Sequence, residues 1–370
     1  MNRLKAIAAL TGSIALIFFT GCDIFNPEDN DGEEAPDVAL SIVSTLTAAD
    51  YSEGNTGVYD IDEETAYTNQ MAIDSDNHIK TFDGTVFILE RTQCDIIKIT
   101  GSAITEANID EEEHIGNATN IHDIAFISAT KAYVTQYGAT DVVIYNPRTG
   151  EATSETISLA DYTPADGSTP GMDAAVYCDG MVYVALQKLD DNWSPTDNSS
   201  VVAIDAGTDK VEDEIVLEGK NPQGMSLFEE KLYVACTGSY GTQDGGIEVI
   251  DLSTGDTEGV LVDESDLEGD VSNVIVISAT RGYVIVAGAD WSNSVVPFNP
   301  TTGSVGKPLD DVDNAAAFGL AYDGTNLYVG DRSATDPGLL VIDPDDNSVI
   351  SGPHDLGMPP NAIALLEVEE

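Results

Sequence analysis

The sequence predicts an all-β protein folded as a seven-bladed β-propeller, and three observations support this prediction. A Tyr-Val pair recurs at a spacing of 45 to 50 residues, and a short strand ending in an Asp or Asn turn recurs with it. The last segment of the chain matches the first strand of the repeat. Periods of this length, with several short strands in each unit, are typical of propeller blades.

The Tyr-Val pairs mark the second strand of each unit. They are Tyr133-Val134, Tyr183-Val184, Tyr233-Val234, Tyr283-Val284 and Tyr328-Val329. Phe87 lies 46 residues before Tyr133 and is interpreted as a degenerate copy. The surrounding runs are rich in Val, Ile, Thr and Tyr and are bounded by Gly, Pro and Asp. This composition favours strands over helices, because no 3.6-residue period is sustained.

A third strand follows each second strand and ends in a turn that begins with Asp or Asn. These residues are Asp60, Asn146, Asp205, Asp251, Asn299 and Asp343. Asp and Asn side chains accept hydrogen bonds from backbone N–H groups two residues further on. Because the residue recurs in almost every unit, we predict a structural role in the turns rather than a catalytic one.

The ends of the chain are predicted to meet in one blade. Six units are complete and span roughly 71–110, 118–160, 170–218, 221–264, 271–310 and 314–355. Residues 38–69 form a seventh unit that lacks its inner strand, and Pro359–Leu366 resembles the inner strand within Asn221–Phe228. We therefore expect the C-terminal segment to complete the first blade, which removes the open sheet edge.

The repeat resembles a known family of propellers. Leu232-Tyr-Val-Ala235, followed by Val249-Ile-Asp-Leu-Ser-Thr-Gly255, resembles the YVTN-type β-propeller repeat superfamily, a WD40-like repeat, including its bacterial surface and periplasmic lipoproteins. The resemblance covers about 38–368. It implies the fold but no single activity, because propellers host binding, scaffolding and catalysis.

The first 37 residues predict targeting and tethering. Residues 1–21 read as a lipoprotein signal peptide, with Arg3 and Lys5 ahead of an apolar run. Phe19-Thr-Gly-Cys22 resembles a bacterial lipobox, which implies acylation of Cys22; an ordinary secretory signal is the alternative. Residues 22–37 are predicted to be an acidic flexible tether, and 38–370 the propeller. The expected location is the bacterial cell envelope, at the outer membrane, cell surface or periplasmic side, with the membrane reached through the N-terminal lipid.

Charge and cysteine content limit the partners. The chain has 66 acidic and 14 basic residues and a formal charge of −52, which argues against nucleic acid as a partner. The acids are spread through all units and are interpreted as a solvated acidic coat. Besides Cys22 there are Cys94, Cys178 and Cys236, an odd number that argues against a disulfide framework. Cys236 is expected to be buried, with a bridge to Cys178 as the alternative.

Candidate ligand-binding residues lie in the connections between second and third strands. These loops share one face of a propeller with the connections between blades, and ligands usually bind there. The residues are Arg91, Tyr137, Trp193, Tyr240, Trp291 and Arg332. Exposed aromatic rings with a few Arg side chains suit recognition of a glycan or a protein. The alternative is that the rings only cover neighbouring strand ends.

No metal or cofactor is predicted. His114 and His122 lack a third ligand at a recognisable spacing. Asp74-Ser-Asp-Asn77 begins like a calcium loop, but Ile79 and Thr85 occupy the positions that need Gly and Glu. Haem-attachment, Walker and nucleophile-elbow motifs are not found in the sequence.

These observations favour a non-catalytic function. The first hypothesis is an envelope-anchored lipoprotein whose propeller is a binding or scaffold platform for a protein or glycan. The alternative is a lactonase-like hydrolase with a site at the channel mouth, for which the sequence offers only Arg91, Arg332, His114 and His122. A redox accessory protein is a third possibility that no cofactor motif supports.

Overall fold

The computed structural model describes residues 38–101, 104–116, 118–196, 199–289, 292–309, 312 and 317–369. The predicted signal peptide, the predicted tether with Cys22, and Trp291 lie outside these residues. Within the described residues the longest α-helix is α1 (Glu264–Leu267), so no helix there is long and apolar enough to cross a membrane.

The described strands form seven antiparallel sheets, which confirms the predicted seven-bladed propeller. Blade 1 contains β1 (Val38–Thr47), β2 (Gly54–Asp60), β3 (Thr65–Tyr67) and β4 (Ala72–Ile73). Blade 2 contains β5 (Asn77–Phe82), β6 (Thr85–Glu90), β7 (Asp95–Thr100) and β8 (Ile109–His114). Blade 3 contains β9 (Ile121–Ser128), β10 (Lys131–Gln136), β11 (Asp141–Asn146) and β12 (Glu151–Ser158). Blade 4 contains β13 (Met172–Cys178), β14 (Met181–Leu186), β15 (Ser200–Asp205) and β16 (Lys210–Val216).

The remaining blades follow the same order. Blade 5 contains β17 (Pro222–Phe228), β18 (Lys231–Cys236), β19 (Gly246–Asp251) and β20 (Asp256–Asp263). Blade 6 contains β21 (Asp270–Ser278), β22 (Arg281–Ala287) and β23 (Asn293–Phe298). Blade 7 contains β24 (Ala317–Tyr322), β25 (Leu327–Asp331), β26 (Gly338–Ile342) and β27 (Val349–His354). The last strand, β28 (Pro360–Glu369), belongs to blade 1.

The ring closes as the sequence predicts. Strand β28 pairs antiparallel with β1, and the register places Ala362 opposite Thr45 and Leu366 opposite Ser41. The inner strands contact one another in the order β28, β5, β9, β13, β17, β21, β24 and back to β28. Gly319 on β24 is needed at the closing contact, because a Cβ there would lie 2.8 Å from Cγ1 of Ile363. The seam between the first and last blades is therefore packed as closely as a continuous core.

The hydrophobic core is a ring of clusters rather than a single centre. Seven clusters of buried side chains are present in the described residues, and each lies between two neighbouring blades. Second and third strands are covered on both faces, so strands such as β18 are apolar along their length. Cys236 on β18 is fully buried and free, which confirms its expected burial and excludes a bridge to Cys178.

The predicted turn residues act as turn formers. The six side chains accept hydrogen bonds from backbone N–H groups two or three residues ahead; they are Asp60, Asn146, Asp205, Asp251, Asn299 and Asp343. These bonds hold the third strand against the outer strand. Turn formation therefore accounts for part of the acidic surface, and no ligand-binding site is needed to explain these residues.

Candidate functional site

The candidate site is one end of the central channel, where the inner strands of blades 2 to 5 begin. We call this end the mouth. Four second-to-third loops surround it and contribute Arg91, Tyr137, Trp193 and Tyr240. The inner strands contribute polar side chains at their second or third residues, which are His78, His122, Asp123, Asp173 and Gln223.

A chain of hydrogen bonds links blades 3 and 4 at the mouth. His122 donates from Nδ1 to Asp173 Oδ1 at 3.0 Å, and Gln187 Nε2 donates to the other oxygen of the same carboxylate. The Tyr137 hydroxyl donates to Gln187 Oε1 at 2.8 Å. All four side chains are at least partly buried, so the network fixes their orientation before any ligand binds.

An aromatic pair lies directly on this network. The rings of Tyr137 and Trp193 are parallel within 5° with centroids 5.9 Å apart, and the His122 ring is 5.0 Å from Tyr137 on centroids. Trp193 is 70% exposed, although tryptophan usually buries most of its surface. An exposed, stacked indole at a fixed position is a ready contact surface for a ligand.

The local turn explains why Trp193 is presented to solvent. Asp190 Oδ1 accepts hydrogen bonds from the backbone N–H groups of Asn192 and Ser194, and Trp193 N–H donates to the Asp190 carbonyl. Trp193 adopts a left-handed backbone conformation with φ of 63°. A bulky residue in this conformation is unusual and is held by the surrounding bonds.

Tyr240 extends the aromatic surface toward blade 5. It is 57% exposed, and Gln223 Nε2 donates to its hydroxyl at 2.5 Å. Burial raises the pKa of Tyr137, and the nearby Asp173 carboxylate and Tyr240 hydroxyl add to the rise while the Arg91 charge opposes it. Arg91, Tyr137 and Tyr240 lie in the second-to-third loops of blades 2, 3 and 5, on the same face of the propeller.

Two carboxylates hold the loop that carries Tyr240. Asp270 accepts the Gly241 N–H at 2.6 Å, and the buried Glu264 accepts the N–H groups of Gly245 and Val271 at 2.7 and 2.8 Å. Burial raises the pKa of Glu264 to about 7, partly offset by these backbone donors. A cavity of about 320 Å³ lies between this loop and blade 6.

Asp123 joins three blades beneath the mouth. Its carboxylate lies 3.2 Å from Lys80 Nζ and 3.7 Å from His78 Nε2 on blade 2, and it accepts the Ala175 N–H of blade 4 at 3.0 Å. Burial by itself would raise the pKa of Asp123, but the charges of Lys80 and His78 and the backbone donors outweigh it. The pKa therefore lies below its usual value.

His78 predicts a pH dependence of stability. Burial, partly offset by Asp123, lowers the pKa of His78 to about 4, so the ring is neutral in the folded protein at neutral pH. In the unfolded chain His78 binds a proton near pH 6.5, whereas in the folded chain it binds one only near pH 4. Stability is therefore full above pH 6.5 and declines as the pH falls toward 4. Because the side chain is 33% exposed, we expect a loss of only about 1–2 kcal/mol.

Urea unfolding between pH 4 and 7 measures this effect. The difference in unfolding free energy between the wild type and His78→Gln should change across that window, because glutamine does not titrate. Titrating groups that do not contact His78, such as Glu264, are common to both chains and cancel. A constant difference would contradict the assignment of a depressed pKa to His78.

Arg332 lies apart from the other predicted site residues. Its Nη1 donates to the carbonyls of Pro359 and Pro360 at 3.3 and 3.5 Å, and its guanidinium lies 5.4 Å from the Tyr51 ring centroid. These contacts hold the start of the closing strand β28. Arg91, Tyr137, Trp193 and Tyr240 therefore lie in the loops around the mouth, while Arg332 stabilises the contact between blades 7 and 1.

His114 and His122, which the sequence analysis considered together as possible metal ligands, lie on strands of different blades. His114 ends the outer strand β8 and bonds Asp95 at 2.6 Å, whereas His122 is on the inner strand β9. Across the described part of the chain, no group of three or more His, Cys, Asp or Glu side chains is placed to hold a metal ion.

Sequence reasoning missed the polar side chains of the inner strands. Asp123 and Asp173 are acidic residues near the start of first strands that are otherwise largely apolar, and that position is the signal that was present in the sequence; the first strand with His78 and Lys80 is polar at four of six residues and gives no such signal. It also missed Tyr51, which lies in the second-to-third loop of blade 1.

Comparisons with known proteins support the fold. No family model matches the chain, and no curated protein is similar to it in sequence. A candidate 6-phosphogluconolactonase from Bacteroides uniformis superposes with a TM-score of 0.61 at 10% identity, covering 88% of this chain and 99% of that one. A protein of unknown function from Desulfotomaculum acetoxidans gives 0.58 at 13%, covering 88% and 98%. Apo AztD from Citrobacter koseri gives 0.54 at 13%, covering 90% and 99%. At these identities the similarity shows a shared propeller fold and no shared activity.

Proposed function

We propose that the protein is a glycan-binding propeller whose ligand lies on the mouth. The observation that carries this proposal is the exposed Trp193 stacked on Tyr137, directly above a polar network that includes Asp173 and Gln187. A sugar ring has an apolar face that suits an aromatic surface and hydroxyls that suit carboxylate and amide partners. A flat protein interface would need a larger apolar centre than this narrow patch.

The network supports binding more than bond cleavage. Each polar side chain in it already has a partner within the blades, so the groups are held in place and face the ring from one side. Fixed polar groups beside an aromatic surface give orientation and specificity to a bound ligand.

Trp193→Ala is expected to weaken glycan binding at least tenfold, which corresponds to about 1.4 kcal/mol. The reason is the loss of the exposed stacking surface, while the backbone turn is held by Asp190. A glycan array identifies a ligand, and calorimetry then compares the variant with wild type. Tyr67→Ala is the matched control, because Tyr67 is 43% exposed on the outer part of blade 1. Equal affinity in Trp193→Ala, or no glycan ligand at all, would contradict the proposal.

We further propose that the propeller is attached to the bacterial envelope through an acylated Cys22. The support is the lipobox-like Phe19-Thr-Gly-Cys22 and the acidic run after it. Two acyl chains would hold the protein at a membrane. Mass spectrometry of the N-terminal peptide from the native host tests this, and an unacylated Cys22 would remove the anchor without affecting the mouth.

A lactonase-like hydrolase is the second candidate, and one contact favours it. His122 bonded to Asp173 at 3.0 Å is an arrangement in which a histidine can act as a general base. A lactone-hydrolysis assay separates the candidates. Turnover that disappears in His122→Gln would support the hydrolase, and no turnover with retained glycan binding would support the binding protein.

A further inference from the structure

We propose that the glycan bound at the mouth is an acidic sugar, whose carboxylate is bound by Arg91. This inference rests on the proposed glycan-binding function and names its ligand class. Arg91 follows β6 in the second-to-third loop of blade 2, and blade 2 is the neighbour of blade 3, whose corresponding loop carries Tyr137.

The backbone fixes the position of Arg91. Its N–H donates to the Asp76 carbonyl at 2.8 Å, and the Cys94 N–H donates to Glu90 just before it. The side chain therefore projects from a closed turn rather than from a free loop. A guanidinium on a fixed stem loses less entropy when a ligand binds.

The guanidinium has unused donor capacity. An arginine carries five N–H donors. Arg91 Nη1 is 3.5 Å from Asp76 Oδ1, longer than the usual 2.7–2.9 Å of a charged hydrogen bond. Its Nε is buried and has no hydrogen-bond partner among the described residues. The side chain as a whole remains 25% exposed, so a ligand can contact part of it.

Further basic side chains lie on the same side of the mouth. Lys80 and His78 are on the inner strand of blade 2, and the Arg91 charge is one of the causes that lower the pKa of His78 after the dominant effect of burial. Lys80 is already paired with Asp123 at 3.2 Å, whereas Arg91 is 3.5 Å from Asp76, so the guanidinium of Arg91 is the basic group that is more available to a ligand. A carboxylate would lie between Arg91 and the aromatic rings.

The net charge of −52 does not prevent this contact. Repulsion from distant acids is screened beyond about 8 Å at physiological salt, whereas a carboxylate in contact with Arg91 interacts at about 3 Å. A planar carboxylate also matches the fork of the guanidinium and accepts two parallel hydrogen bonds from it. A uronic acid residue is therefore the preferred ligand, with its ring on Trp193 and its carboxylate toward Arg91.

Oligogalacturonides in free-acid and methyl-ester form test this proposal by calorimetry. The two probes have the same sugar ring and differ only in the charged group. We expect the free acid to bind wild type at least tenfold more tightly than the ester. Arg91→Gln should lower the affinity for the acid to that for the ester and leave the ester unchanged, with Arg91→Lys between the two.

The controls separate this inference from the general proposal. Arg148→Gln changes an exposed arginine in an outer turn of blade 3 and should leave both affinities unchanged. Equal affinity of wild type for acid and ester would overturn the role of Arg91 while leaving a glycan-binding mouth. Equal weakening by Arg91→Gln and Arg148→Gln would also overturn it. Failure of every neutral and acidic glycan to bind would remove the proposed function and this inference together.

Discussion

Removal of β28 is expected to abolish the folded state. The strand provides the inner edge of blade 1, and its Ala362, Ile363 and Leu366 are buried in the two clusters on either side of that blade. Ile363 and Leu366 contribute about 1.5–3 kcal/mol each, and the burial of Ala362 and the ladder to β1 are lost as well. The total is comparable to the 5–15 kcal/mol of a typical domain. A chain ending at Pro359 should therefore show no cooperative thermal transition.

A shorter truncation controls for the effect of the missing terminus. A chain ending at Val368 keeps every buried residue of β28 and should unfold cooperatively near the wild-type temperature. The Pro359 truncation should also aggregate, because it exposes the long edge of β1. A cooperative transition in the chain ending at Pro359 would show that blade 1 is stable without its closing strand.

Asp123→Asn is expected to lower the free energy of unfolding by about 2–3 kcal/mol. The substitution keeps the shape of the side chain but removes the negative charge that faces Lys80, and it turns one acceptor into a donor. The Ile124 and Ala175 N–H groups then compete for a single oxygen. Urea unfolding at pH 7 measures the loss.

Glu212→Gln is the matched control for Asp123→Asn. Glu212 is exposed on β16, the outer strand of blade 4, so the same loss of one negative charge should change stability by less than about 0.5 kcal/mol. Equal effects of the two substitutions would mean that Asp123 contributes only net charge and does not join blades 2, 3 and 4.

Much of the fold follows from repetition in the sequence. The likeness between Pro359–Leu366 and the inner strand of blade 5 was enough to predict the closure, because each blade needs the same inner strand. The turn residues were predictable for the same reason, since a side-chain bond within three residues is a local property. Blade 6 shows three strands in the described residues, so its outer strand is not confirmed there.

The composition of the mouth was less predictable because it depends on contacts between blades. Asp123 contacts Lys80, His78 and the Ala175 backbone only after three blades are arranged around the channel. No local sequence pattern predicts these contacts. The loop residues were found because all second-to-third loops share a face. Arg332 shares that face too, but its contacts with Tyr51 and the start of β28 give it a structural role.

Fluorescence of Trp193 is the most direct test of a ligand-binding mouth. The chain has two Trp residues, so Trp291→Phe leaves Trp193 as the single reporter. We predict a saturable change in its emission on titration with the bound glycan, at the same dissociation constant that calorimetry gives. Calorimetric binding with no change in Trp193 emission would place the ligand elsewhere on the propeller and contradict the account.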